Sequence, residues 1–362
     1  MLVTPKCFEP SRASVTIGAT PATKRMFMGG ECRTTGVKLD TVIDSPLGRI
    51  RARVDELADA GFDGVFTFEG PNDVFFPLAE AAPTRRVAVY SNVAVAFPRS
   101  PMHLAISAWD LQQASGGRFA LGLGSQIRAH VERRYSADFE RPVGRMEALI
   151  AAIRAIFDAW QHGTRLDHQS EFYTHTLHVP LLTPPPLEHG APPIWLAAVG
   201  PQMTALAARV ADGIVTHPFC TPRYLQTVMQ PKLPTDRPFT RVVGAMVGLL
   251  GADSERADVE FALRAQLGFY GSTPAYRPVL DAHGWGEAQP ELRRLTKANA
   301  WDELGAVFTD EMLDTIAVVG TPAEVSTELR RRYEGTADRL AIQLPYGADP
   351  DLVTELGSAW KA

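Results

Sequence analysis

Short apolar runs alternate with amphipathic stretches from Val37 onward, and that alternation limits the fold more than any other feature of the chain. Val37–Ile43 alternates like a strand. Ile50–Ala60 then carries apolar residues at helical spacing and stops at Gly61, a residue that tolerates the left-handed position after a helix. Further strands are expected at Val65–Phe68, Val87–Val95, Arg118–Gly124, Ile194–Ala198, Gly213–Thr216, Val242–Leu250 and Leu340–Gln343. Helices are expected near Val74–Ala82, from Met102 to Ala114, and over Val143–Trp160, Ala205–Val210 and Tyr224–Met229. Strands alternating with helices require a parallel sheet with right-handed crossovers. An open doubly wound sheet would carry a dinucleotide fingerprint after its first strand, but the segment after Ile43 reads DSPLGRI. The expected fold is therefore α/β, a (β/α)8 TIM barrel with insertions at 125–142, 161–192 and 269–315. The first and third insertions follow strands four and seven, on the face where barrel enzymes carry their active sites.

The 362 residues suffice for such a barrel, which spans about 200 to over 400. The 36 Lys and Arg against 41 Asp and Glu leave −5, without long runs of one sign. No dense basic surface exists for nucleic acid or an anionic membrane, so neither is expected as a partner. No stretch nears the ~18 apolar residues of a membrane span. Cys7, Cys32 and Cys220 lack CxxC spacing and cannot build a disulfide framework, so a soluble cytoplasmic protein is expected. Residues 1–36 break the pattern, with no signal-like apolar run and a small excess of basic residues. They are expected to be a disordered tail, or a start assigned too early with Met26 or Met28 as the true one; residues 37–362 form the barrel domain.

Five segments carry a resemblance: DELADAGFDGVFTFE, SGGRFALGLGSQIRAHVERRY, PPIWLAAVGPQMTALAARVADGIV, QLGFYGSTPAYRPVL and AVVGTPAEV. In this order they resemble the luciferase-like monooxygenase superfamily, and within it the oxidoreductases that use the deazaflavin coenzyme F-420. The stretch around FYGSTPAYRPVL is similar to one particular F-420 subgroup. The resemblance implies a luciferase-like barrel that moves a hydride between F-420 and a small-molecule substrate. Two alternatives stay open: an FMN-dependent monooxygenase of the same superfamily and a non-catalytic flavin-binding barrel. A homodimer is also open.

At Ala198-Val199-Gly200-Pro201-Gln202 a buried strand delivers the chain to a glycine, and Pro201 suits the first helical position. Free backbone N–H groups there suit a phosphate, although an ordinary strand–helix turn has the same signature. The resemblance assigns Ala198, Val199, Gly200, Pro201 and Gln202 to the coenzyme. Gly122-Leu123-Gly124-Ser125-Gln126 ends the fourth strand, its glycines serving either packing or a ligand. By resemblance Ser125 and Gln126 join the coenzyme contacts, with Gln126 standing where the family often has a small residue. His130 stands near the position of an asparagine that many F-420 enzymes set against the ring edge; otherwise it is an exposed helix histidine. Arg128, Arg133 and Arg134 form either a solvated helix face or a seat for the coenzyme's acidic tail.

The resemblance also implies a bulge with a cis peptide at Asn92–Val93, backing the coenzyme's middle ring. A regular buried strand is the alternative. Some relatives carry an Asp-His pair after the second strand with the histidine near the reacting carbon; here Glu69-Gly70 stands instead. Glu69 is thus either an acid–base group or half of a structural ion pair. His217, just past the sixth strand, is a proton-relay candidate. Phe269–Arg277 is expected over the barrel mouth with Phe269, Tyr270 and Tyr276 as an apolar wall, or else packed on the outer helices. His162, His168, His175, His178 and His189 have neither HxxxH nor HExxH spacing, and no metal is expected. A protein lacking residues 1–27 is expected to melt together with the full chain in a calorimetric scan, whereas a large drop would assign the tail to the folded core.

Overall fold

The barrel wall is built by parallel pairing of strands that follow one another in the chain. In the computed structural model, which describes residues 36–362 except 253, 255, 345 and 346, these are β1 (Lys38–Val42), β2 (Gly64–Thr67), β3 (Ala88–Ser91), β4 (Phe119–Gly124), β5 (Ile194–Ala198), β6 (Gly213–Thr216) and β7 (Thr240–Leu249). Two more strands follow, β8 (Ala317–Gly320) and β9 (Arg339–Gln343). Each of β1 to β7 pairs in parallel with its successor, and β9 closes the ring by pairing with both β7 and β1. Gly36–Ala362 packs as one unit; the expectation for residues 1–35 lies outside the described residues.

The eight expected strands are the eight of the closed wall. β8 was expected in no strand. It exists because β7 is ten residues long and, besides pairing with β6 through Thr240–Val242, pairs through Val242–Met246 with β9 and through Met246–Leu249 with β8. AVVG follows the helix Asp310–Ile316 with no residue between them, so the apolar run has no break that announces a separate strand. The expected strand Val87–Val95 is also corrected. β3 stops at Ser91, the Asn92–Val93 peptide is cis, and Ala94–Val95 pairs with β4 alone. The helix expected at Tyr224–Met229 is present, as an α-helical turn over Pro222–Tyr224 continued by a π-helix over Leu225–Met229.

Helices α1 (Ile50–Ala60), α2 (Phe75–Ala81) and α3 (Pro101–Ser115) follow β1, β2 and β3, α4 (Arg128–Arg133) and α5 (Pro142–His162) both follow β4, and α6 (Pro201–Val210) follows β5. α1 buries Ile50, Val54 and Leu57 and ends at Gly61, whose φ of 109° requires a residue without Cβ. Trp109 of α3 meets Trp160 of α5 edge-on at 5.3 Å. The insertion after α5 climbs back along that helix, where Glu171 pairs with Arg141 and Arg145 Nε donates to the Tyr173 hydroxyl at 3.3 Å. Among the described residues no helix is long and apolar enough to cross a membrane.

Inside the barrel Phe66, Tyr90, Trp195, Val215 and Val242 form an apolar layer, with Trp195 edge-on to Tyr90 at 5.1 Å. Beneath it lies a buried ionic cluster. Arg339 Nε and Nη2 donate to Asp40 Oδ2 and Oδ1 at 2.7 and 2.5 Å, and the Tyr90 hydroxyl donates to Asp40 Oδ2 at 2.8 Å. Gly64 leaves room for the pair, since a Cβ there would lie 2.5 Å from Asp40 Oδ1 and from Arg339 Nη2. Burial opposes the Arg339 charge, but the adjacent Asp40 carboxylate outweighs it and holds the guanidinium protonated. Burial, then the Asp40 charge, pushes the Tyr90 phenol up. Removing one member of a buried pair strands its partner. Arg339→Met is therefore expected to cost about 3–5 kcal/mol in urea unfolding, and the double variant Arg339→Met/Asp40→Asn distinctly less.

Candidate active site

Three groups of residues meet at the C-terminal ends of the strands. The first is the bulge after β3. Ser91 Oγ donates to the Gly122 carbonyl at 2.8 Å and accepts from Gly122 N at 2.9 Å, taking the place of a ladder bond. Asn92 N then donates to Thr67 O at 2.7 Å, and past the cis peptide Ala96 N donates to Gly124 O at 2.9 Å. This geometry decides between the two readings of the β4 glycines. A Cβ on Gly122 would lie 1.9 Å from Ser91 O, and one on Gly124 2.5 Å from Val93 Cγ2, so packing of the bulge requires both. Asn92 and Val93 remain half-buried at the mouth.

Glu69 is part of the same network, and its side chain stands in an ion pair, the second of the two arrangements open for it in the sequence. One oxygen accepts from Val95 N at 2.7 Å, and Arg99 Nη1 donates to both oxygens at 2.7 and 2.6 Å. Arg99 Nη2 continues to Asp73 at 2.9 Å. With only 6% of its side chain exposed, Glu69 is a buried, paired carboxylate that fixes the bulge backbone. It is a positioning residue. Tyr135 lies beside it; burial and then the Glu69 charge push its phenol up.

The second group is the turn from β5 into α6. Gly200 has φ −78° and ψ 161°, its carbonyl accepts from Thr204 N and Oγ1, and a Cβ there would meet nothing within 4 Å. Ala198 is buried, Val199 half-buried, and Pro201 and Gln202 exposed. The first-turn amides have no intrahelical acceptor, and they sit at the positive end of the helix dipole. Sequence reasoning missed Tyr224, a fully buried residue whose hydroxyl donates to Val199 O at 2.9 Å and pins this turn to the segment after β6. A lone tyrosine in an apolar run carries no signal for that bond.

Ser125 and Gln126 follow β4. Gln126 stands at φ 57° and its Oε1 accepts from Ile127 N, while Ser125 Oγ donates to the Gln126 carbonyl. His130 is half-buried on α4, and among the described residues its ring makes no hydrogen bond. Two of the three neighbouring arginines are engaged. Arg128 pairs with Glu132 at 2.5 Å and lies over Phe139, and Arg134 donates to Gly70 O. Only Arg133 is without a partner among the described residues.

The third group surrounds His217. Its Nδ1 accepts from Phe219 N at 3.2 Å, which assigns the ring proton to Nε2 in the neutral form. Tyr270 stands edge-on to the ring at 4.4 Å and Tyr276 tilted at 4.5 Å. Both come from the segment after α7 begins (Arg256–Gly271), so the apolar wall expected of Tyr270 and Tyr276 lies at the mouth. Phe269 differs, being turned outward against Trp301. Burial pushes His217 down to about 3. In the neutral form the ring therefore keeps Nδ1 engaged by the Phe219 amide and carries its proton on Nε2. Among the described residues no cluster of three or more His, Cys, Asp or Glu could hold a metal ion.

The luciferase-like monooxygenase profile matches residues 28–339, and the chain belongs to that family. It is 44% identical over 322 residues to an uncharacterized protein of Mycobacterium tuberculosis, covering 86% of this chain and 94% of the relative. A second M. tuberculosis protein, provisionally assigned as a coenzyme F-420-dependent oxidoreductase, is 28% identical over 303 residues, 72% of this chain and 81% of the relative. The fold matches the F-420-dependent tetrahydromethanopterin reductase of Methanopyrus kandleri with a TM-score of 0.72 at 15% identity, covering 90% of this chain and 98% of that one.

Because the folded pKa of His217 lies below the ordinary 6.5, its contribution to stability is complete above that range and is lost as pH falls toward about 3. The unfolding free energy of the wild type relative to His217→Phe is expected to decline across that window and to stay level above it.

Proposed function

We propose that this enzyme transfers a hydride between a small organic substrate and the deazaflavin coenzyme F-420. The observation that carries the reading is similarity over 303 residues to a relative assigned to that coenzyme, joined to a strand–helix turn fit for its phosphate. The fit rests on Gly200: the space a Cβ would take is open, next to unpaired first-turn amides. When bound, the coenzyme would supply two-electron hydride chemistry, since carbon stands in its ring where flavin has the nitrogen that passes single electrons.

The chain's own residues would do the rest. Gly200 and Gln202 hold the phosphate by backbone N–H groups, and the Asn92–Val93 bulge supports the ring. Glu69 and Arg99 keep that bulge in one position. His217 orients a substrate oxygen with Nε2–H, and the barrel wall excludes water, so that placement supplies most of the catalysis. An FMN-dependent monooxygenase is the second reading, favoured by the same turn, which suits the phosphate of either coenzyme. Titration of the apo-protein with F-420 and FMN at low and moderate salt tests the choice. F-420 is expected to bind more tightly and to support turnover; tighter FMN binding at both salts, with turnover F-420 does not give, would overturn the reading. Gly200→Leu is expected to weaken F-420 binding at least about tenfold with the melting temperature retained, since the added side chain would fill the space beside the amides.

A further inference from the structure

The wall around His217 is uncharged. Tyr270 and Tyr276 both pack against its ring, and burial pushes the imidazole pKa down. The neighbouring groups are neutral as well: burial pushes the Cys220 thiol up to about 12 and raises both tyrosine phenols. Phe219 and Phe308 continue the apolar surface behind Tyr276. Within this surface Nδ1 is occupied by Phe219 N, whereas Nε2–H has no partner among the described residues and is not among their buried unpaired atoms. His217 itself is only partly buried, so its free edge opens toward the mouth. The tautomer is fixed from behind, and a single donor faces outward.

We propose that this wall is the substrate subsite, and that it selects an uncharged, largely apolar molecule whose single acceptor oxygen takes the hydrogen bond from His217 Nε2–H while its body lies against Tyr270 and Tyr276. The identification of the occupant as substrate rests on the hydride-transfer reading above. Selectivity follows from desolvation. A carboxylate or phosphate entering this surface loses its water without gaining a counter-charge, whereas a ketone or alcohol oxygen exchanges one hydrogen bond for another. The apolar remainder gains by leaving water.

Three probes of matched shape test this on the full chain, with and without F-420: acetophenone, ethylbenzene and 4-acetylbenzoate. Ligand-observed NMR gives the affinities, and the 15N shift of labelled histidine reports Nε2 directly. One net hydrogen bond is worth about 1 kcal/mol, so acetophenone is expected to bind about fivefold more tightly than ethylbenzene. 4-Acetylbenzoate is expected to bind at least about tenfold more weakly than acetophenone, because its carboxylate would be desolvated without a partner. His217→Phe should abolish the preference for acetophenone over ethylbenzene, and His217→Gln, which keeps a donor, should restore part of it. Should His217→Phe fail to fold, the wild-type comparison and the Nε2 shift decide alone. Equal binding of acetophenone and ethylbenzene, binding of the carboxylate as tight as that of the ketone, or an Nε2 signal unmoved by acetophenone would each overturn the proposal. Failure of F-420 to bind while the probes still discriminate would remove the hydride-transfer reading and leave the subsite in force.

Discussion

The bidentate pair between Asp40 and Arg339 joins the first wall strand to the last, across 299 residues of chain. Both groups are buried, so neither charge is tolerable without the other, and the pair forms only when β1 and β9 stand side by side. The Tyr90 hydroxyl adds β3 to the same centre, and its ring carries the apolar layer of Phe66 and Trp195 above. The interior is thus filled below the mouth, and only the C-terminal strand ends are left to receive a ligand.

At those ends the backbone is held by side chains rather than by regular pairing. Ser91 replaces a ladder bond, Glu69 caps the Val95 amide, and Arg99 neutralises Glu69 and reaches Asp73. Such a network is stable only when complete, because each partly satisfied buried group costs more than an apolar replacement. The same economy governs the β4 glycines, whose missing side chains make room for Val93 and the Ser91 carbonyl.

The two sides of the mouth differ in electrostatics. The α4 side carries Arg133 together with Arg128, paired with Glu132, and Arg134, bound to the Gly70 carbonyl, whereas the β6 side presents an imidazole and two phenols. The Gly200 turn lies between them in chain order, pinned by Tyr224 from the segment that also supplies His217.

The sequence by itself determined the barrel. Periods of two and 3.6 residues are local properties, and eight apolar runs alternating with helical stretches leave a closed parallel wall as the consistent solution. It also determined the strand–helix turn at Gly200, because a proline at the first helical position is a local signal. The cis peptide at Asn92–Val93 was legible only through resemblance, since nothing in VAVYSNVAVAF breaks a strand pattern. Tertiary structure alone decided the roles of the polar residues. Glu69 became a positioning residue through Arg99, thirty residues away. β8 became a strand through the surplus length of β7. The orientation of the His217 ring was set by the Phe219 amide and by two rings more than fifty residues distant in chain. An ionisable side chain takes its function from its partners and its burial, and both are set by contacts that no local pattern encodes.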